Sequence, residues 1–526
     1  MKRNSEKCLW WSKKDEKNHQ RMEEQTRIQR GNVLLERHLP KEKDVGFKKR
    51  KKSKRMVSEP LEPVKTEQSK PFVIPSSMLD CSTLHFFTPS FQTLILPRHS
   101  NLRQIRNLQQ EPNQFLKLLV VPTSLLKIAY GTFIECSLEH LLFPRHSRIN
   151  VIEGAAFYDC KIQSISIPSS VKTFGDDAFA LSSLSSVVFG LKSTFTKIPF
   201  GLFRECQNLD SIEIVSSVEV IGESAFSQSS LQTVTISSPS RLKDIEMCAF
   251  EYCNNLQSIE LPPSLEVLGD SAFATGGLQS VTFGSHSKLK GIGERAFRNC
   301  TRLSSIEIPA SIEFIDHFAF AKSGLQSIVF PDDSKLETIG FNVFADCIHL
   351  TSIEIPSSVV RICPQAFDKS QLQSIVFHPH SQLKIIEEYA FYGCENLTSM
   401  TIPSSVEDIL VSAFQKTNLQ TVTFESNSQL KKIKYETFGD CKSLKTIEIP
   451  PSVEEICSNA FTNSGLVSLT FAPGSQLKKI HQHAFLDCRD LVSIQLPSSL
   501  EEVHQLAFKG CTNLSVPLCE KAGLDN

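Results

Sequence analysis

The chain has 526 residues, with 56 Lys+Arg against 57 Asp+Glu, 16 cysteines and two tryptophans. A globular chain of this length would split into several domains, but an array that grows by repetition escapes that count. No apolar run is long enough to span a bilayer as a helix, which excludes that mode of membrane insertion.

The near-zero net charge hides an asymmetry. Residues 1–71 hold 21 Lys+Arg against 11 Asp+Glu, leaving 35 against 46 for residues 72–526. A basic tail on an acidic body suggests two regions with different partners, or a tail that masks the other region. Met1 to Lys14 carries charge but lacks the apolar core of a signal peptide, so the expected location is intracellular, in the cytoplasm or the nucleus. Lys48, Lys49, Arg50, Lys51, Lys52, Lys54 and Arg55 form a basic run. It reads as a nuclear-import signal, as a patch for nucleic acid or anionic lipid, or as a solvated disordered segment. The rest of the tail is polar and expected to be disordered. A short amphipathic helix between His19 and His38, interrupted by Gly31, is a candidate cap for the first coil.

From residue 72 to about 515 the chain repeats, followed by a short tail over 516–526. Phenylalanine recurs at Phe203, Phe226, Phe250, Phe273, Phe297 and onward to Phe508, at gaps alternating between 23 and 24 residues. Phe133, Phe157 and Phe179 extend the series upstream. Such a period means one supersecondary unit stacked many times, each unit supplying core to its neighbours.

Within a coil, Ile212-Glu-Ile214 alternates as a strand with one face in and one out. Proline directly after the strand, at Pro309, Pro356 and Pro403, ends it in a turn. Val218 and Ile221, three apart, return the chain along the opposite side. Ala-Phe-x-x-Cys, with apolar residues three apart, predicts a single helical turn closing the core. The expectation is an α/β repeat solenoid with one long parallel inner sheet, whose coils from Phe133 to Phe508 would extend about 75–80 Å.

The pattern Leu-x-x-Ile-x-Ile-Pro-x-Ser-Val-x-x-Ile-x-x-x-Ala-Phe-x-x-Cys-x-x-Leu resembles the BspA-like class of leucine-rich repeat, also known from a treponemal surface protein. The resemblance covers about residues 72–515. It implies a leucine-rich repeat fold and an adhesin-like role in attachment to proteins or cells, with a cell-surface location. The competing reading is an intracellular or nuclear scaffold directed by the Lys48–Arg55 run, in contact with nucleic acid. An enzyme is not expected, because nearly every buried position is committed to repetition.

The outward positions of the inner strands are the candidate docking strip. One is Ser or Thr in every coil from Ser211 to Ser493. The other carries glutamate on alternate coils, at Glu213, Glu260, Glu307, Glu354 and Glu448. This spacing sets like charges about 10 Å apart and would favour a basic protein partner. The competing reading is a row of small β-compatible residues that keeps a flat sheet soluble. Absence of Trp, Tyr and Arg anchors argues for binding that is weak per site and dependent on repetition.

Chemistry is otherwise sparse, and no catalytic, cofactor-binding or metal-binding residue is assigned. His378-x-His380 and His481-x-His483 each offer two ligands, with no evident third. Gly291-Ile-Gly293 is too short for a phosphate loop. Asn396 and Asn513 sit in glycosylation acceptor sequences, relevant to a secreted chain only. Cys206, Cys253, Cys300, Cys347, Cys394, Cys441 and Cys488 recur every 47 residues, two coils apart and too far to pair, so they read as small buried hydrophobes. Cys136/Cys160 and Cys488/Cys511 lie on adjacent coils, where either packing or a disulfide is possible.

Overall fold

A computed structural model describes residues 72–73, 83–86, 92–97, 100–107 and 114–514. The chain divides into two units, Met1–Thr66 and Glu67–Asn526, and the first lies wholly outside the described residues. The Lys48–Arg55 run and the His19–His38 segment therefore fall outside them too.

One coil shows how the sequence closes on itself. The strand Ser305–Glu307 holds Ile306 inward and pairs in parallel with Ser327–Val329 of the next coil. Pro309 then sets a turn, its carbonyl accepting from the N–H of Ile312 at 3.1 Å. The two-residue strand Phe314–Ile315 returns the chain and pairs with Gly291–Ile292 on one side and Thr338–Ile339 on the other. A corner from Asp316 to Ser323 completes the coil, and Leu325 leads into the next strand.

That corner is not the expected helical turn. Phe318, Phe320 and Lys322 send their N–H groups to Phe341, Val343 and Ala345 of the following coil, at 2.8, 3.1 and 2.9 Å. The alternate N–H groups, of Ala319, Ala321 and Ser323, bond locally, each three residues back. Phe318 and Lys322 adopt left-handed φ values of 58° and 59°, which a right-handed helix cannot contain. Left-handed residues four apart flank most other corners in the same way, as at Ser224 and Gln228 or Cys248 and Tyr252. No helix occurs among the described residues, so the α/β expectation is corrected to an all-β parallel solenoid. The correction has a simple cause: in a stack, an N–H pointing along the stacking axis finds a carbonyl on the next coil.

The expected single inner sheet is also sectioned. Between Ser211 and Phe424 the long strands pair two by two, as Ser211–Ile214 with Thr233–Ile236 and Ser258–Leu261 with Ser280–Phe283. Strand starts are separated by 22 residues inside such a pair and 25 between pairs, because alternate coils carry a longer turn and an extra residue before the strand. The short strands are spaced by 23 and 24 residues and run as one ten-stranded sheet from Lys197–Ile198 to Asp408–Ile409.

The core is a phenylalanine spine. From Phe133 to Phe508, successive rings stack with centroids 5.0–5.8 Å apart and planes within 18° of parallel. Each contact adds about 0.5–1.5 kcal/mol beyond the apolar area it buries. Rows of leucine and isoleucine from both strand faces, such as Ile306, Ile312, Ile315 and Leu325, pack around it.

Candidate functional site: the long-strand face

Period-two alternation in the long strands puts Ile212 and Ile214 in the core and leaves Ser211 and Glu213 exposed. Register then builds the strip. Glu213 stands beside Thr235, Glu260 beside Thr282, Glu307 beside Val329, Glu354 beside Val376, and Glu448 beside Thr470. All five glutamates are exposed, as are Val329 and Val376, each at 54% of full accessibility. The parallel column from Ser211 to Ser493 is exposed, with Ser468 half-buried. Hydroxyls tie neighbouring coils together: Ser237 Oγ donates to Glu213 Oε1 at 2.8 Å, and the Thr401 and Thr423 hydroxyls lie 3.0 Å apart.

Charge on the short-strand face is arranged differently. Lysine and glutamate alternate there from one coil to the next, in the sequence Glu219, Lys243, Glu266, Lys290, Glu313 and again in Lys384, Glu407, Lys431, Glu454, Lys478, Glu501. Many of these meet: Lys243–Glu219 at 3.2 Å, Lys290–Glu313 and Lys384–Glu407 at 2.7 Å, Lys431–Glu454 at 3.4 Å and Lys478–Glu454 at 3.2 Å. None of the five strip glutamates makes an ion pair among the described residues. The sequence reading missed this second alternation, although the recurring Leu-Lys and Val-Glu steps carry it.

The cysteine ladder is chemically quiet. Cys253, Cys300, Cys347, Cys394 and Cys441 are buried, and each thiol donates to the carbonyl of the phenylalanine one coil back, at 3.1–3.2 Å. Burial pushes Cys206, Cys300, Cys394 and Cys441 up to about 12, and Cys253 and Cys347 up to about 11. A buried thiol that stays protonated is a poor nucleophile. Serine or threonine holds the same slot on most intervening coils, as Ser229, Ser323, Ser370 and Thr417. At the ends cysteine replaces that hydroxyl residue, which brings Cys136 and Cys160 together with sulfurs 3.1 Å apart. Cys136, Cys160, Cys488 and Cys511 are all free thiols.

The histidine pairs separate. His380 gives its N–H to His378 Nδ1 at 3.2 Å, a local turn contact. His481 faces away from that pattern: its Nε2 lies 3.1 Å from Glu455 Oε2, with Cys457 alongside. Glu455 and Cys457, both on the preceding coil, are neighbours of His481 that the sequence pattern did not bring out. Gly291 belongs to a short strand, and Asn396 and Asn513 are exposed.

The family model described as BspA type leucine rich repeat region matches residues 66–150, 126–242, 235–336, 333–430 and 422–521. Among solved structures, the chain is similar to a leucine-rich repeat protein from Eubacterium ventriosum, at 23% identity over 64% of this chain and 84% of that one, with a TM-score of 0.38. It is similar to the pneumococcal vaccine antigen PcpA at 21% identity over 80% of this chain and 89% of that one, with a TM-score of 0.37. A leucine-rich repeat protein from Bacteroides ovatus shares 22% identity over 82% of this chain and 81% of that one, with a TM-score of 0.35. No curated protein matches the chain. Among the described residues, no helix is long and apolar enough to cross a membrane.

Proposed function

The chain belongs to the BspA-type leucine-rich repeat family, and from that premise we propose that it is a non-catalytic protein-binding array whose docking surface is the long-strand face. The observation that carries this reading is the set of exposed glutamates without ion-pair partners, Glu213, Glu260, Glu307, Glu354 and Glu448, on a molecule that elsewhere pairs many such charges in place. A carboxylate left open keeps its full Coulombic attraction for an incoming cation. Val329 and Val376, interleaved with Glu307 and Glu354, add apolar contact at mid-strip. The partner is therefore a protein presenting basic side chains at a spacing near two coils, with apolar residues between them. Each coil contributes little, so affinity accumulates along the array. An adhesin-like role at a cell surface is the setting in which such repetition is useful.

The test compares two triple reversals in the full chain. Glu260→Lys, Glu307→Lys and Glu354→Lys together are expected to weaken capture of the protein's partner by at least about tenfold, about 1.4 kcal/mol. Glu219→Lys, Glu266→Lys and Glu313→Lys, the same charge change on the other face, should leave capture unchanged. Equal losses in both would reduce the effect to net charge and remove the docking face.

The basic run Lys48–Arg55 supports a second reading, an intracellular or nuclear scaffold whose tail touches nucleic acid or anionic lipid. Changing those seven basic residues to alanine separates the two. Loss of a nuclear signal favours the scaffold, and surface exposure unaffected by the change favours the adhesin.

A further inference from the structure

In a repeat protein, individual chemistry sits at positions that vary from coil to coil. The residue after the short strand is such a position: Gly222, Glu246, Gly269, Gly293, Asp316, Gly340, Cys363, Glu387, Leu410 and Lys434 follow one another along the array. Near the C-terminal end of the array the same position becomes Cys457 on one coil and His481 on the next. We propose that Glu455, Cys457 and His481 form a zinc(II) site on the short-strand face.

The backbone fixes the three donors. Glu455–Ile456 pairs in parallel with Lys479–Ile480, with Glu455 opposite Lys479 and Ile456 opposite Ile480. Cys457 and His481 therefore leave their strands side by side, while Glu455 points outward from the strand two residues before Cys457. One ligand atom from each lies within 4.8 Å of the other two, and all three residues are half-buried. Among the described residues this is the only such grouping of three.

The donor set selects the metal. A thiolate, an imidazole and a carboxylate suit zinc(II), which binds sulfur at about 2.3 Å and nitrogen or oxygen at about 2.0–2.2 Å in a tetrahedron. Donors on such a tetrahedron stand roughly 3.3–3.6 Å apart. The existing 3.1 Å between His481 Nε2 and Glu455 Oε2 is already close to that separation. Three protein donors, each reaching solvent, leave the fourth position to water.

Neighbouring charges orient the site. Lys432 Nζ holds Glu455 Oε1 at 2.8 Å, leaving Oε2 turned toward His481. Two further ammonium groups are engaged elsewhere, Lys479 by Glu502 at 2.8 Å and Lys434 by Asp408 at 2.8 Å.

The test uses the full chain, freed of metal and titrated with cobalt(II) and then zinc(II). Wild type is expected to bind one cobalt equivalent with a thiolate-to-metal charge-transfer band in the near ultraviolet, which zinc displaces. Cys457→Ser should abolish the band, while His481→Ala and Glu455→Gln should each weaken affinity by at least about tenfold. The double variant His378→Ala with His380→Ala should behave as wild type. A wild type without the band, a band that survives Cys457→Ser, or equal affinities across all variants would overturn the proposal. Circular dichroism checks each variant, and should His481→Ala unfold, Glu455→Gln carries the comparison.

Discussion

The short-strand face and the long-strand face are built from the same 47-residue double coil, yet they handle charge in opposite ways. On the short-strand face the alternation is between lysine and glutamate, so neighbours in register often attract and close into ion pairs such as Lys290–Glu313. On the long-strand face it is between glutamate and threonine or valine, so each acid meets a neutral neighbour and stays open. One period thus yields a self-neutralised face and a face with unspent charge. Backbone pairing differs in parallel: the short strands form a ten-stranded sheet where the long strands pair only in twos. The more continuous sheet carries the balanced charge, and the sectioned one carries the open charge.

The largest expected effect removes what both faces share. Phe320→Ala takes a ring out of the stack between Phe297 and Phe344 and should cost about 3–5 kcal/mol. Denaturant unfolding followed on reporters placed on each face should show them lost together. Separate transitions would mean that the faces are energetically independent.

Alkaline pH should come next. The ladder thiols have an ordinary value of 9.0 and are pushed up to about 11 at Cys347 and about 12 at Cys300 by burial. A folded value above the unfolded one means the stabilisation is complete below about 9 and is lost as pH rises toward the folded values. Thermal midpoints should fall across that window, and Cys300→Ala should make the fall shallower. Lysine ion pairs on the short-strand face weaken over an overlapping range, so an identical slope in Cys300→Ala would assign the whole effect to them.

A smaller effect separates the faces directly. Glu313→Lys sets a lysine against Lys290 and should lower the unfolding midpoint slightly at low ionic strength, a loss that high salt erases. Glu307→Lys breaks no pair and should shift stability by no more than about 0.5 kcal/mol. Comparable losses from the two reversals would mean that the strip is not open. The smallest expected effect is a measurable favourable coupling in a double-mutant cycle on Lys290 and Glu313, against none between Glu307 and Glu354.

Much of this was legible in the residues. The phenylalanine spacing announced the stack, and Ile212-x-Ile214 announced which side of a strand faces the core. The strip glutamates could be named because period two leaves only one outward choice. The corner could not be read that way. Apolar residues three apart fit a helix and a β-turn equally, and the left-handed residues there include lysine, glutamine, serine and phenylalanine, types that carry no local signal for it. Nor was the Glu455–Cys457–His481 grouping visible, since Cys457 and His481 are 24 residues apart and meet only through the register of the short strands.

The sequence by itself determined that this protein is an array of 23- and 24-residue coils, which positions are core, and which cysteines are too far apart to join. Those follow from periodicity, a property of the chain alone. Tertiary structure decided that the corners are turns rather than helix, because their N–H groups bond to the next coil and a helix would bond them within itself. It also decided which charges are paired and which donors converge. Both depend on what stands one rung away, about 4.8 Å along the stack and some 23 residues along the chain.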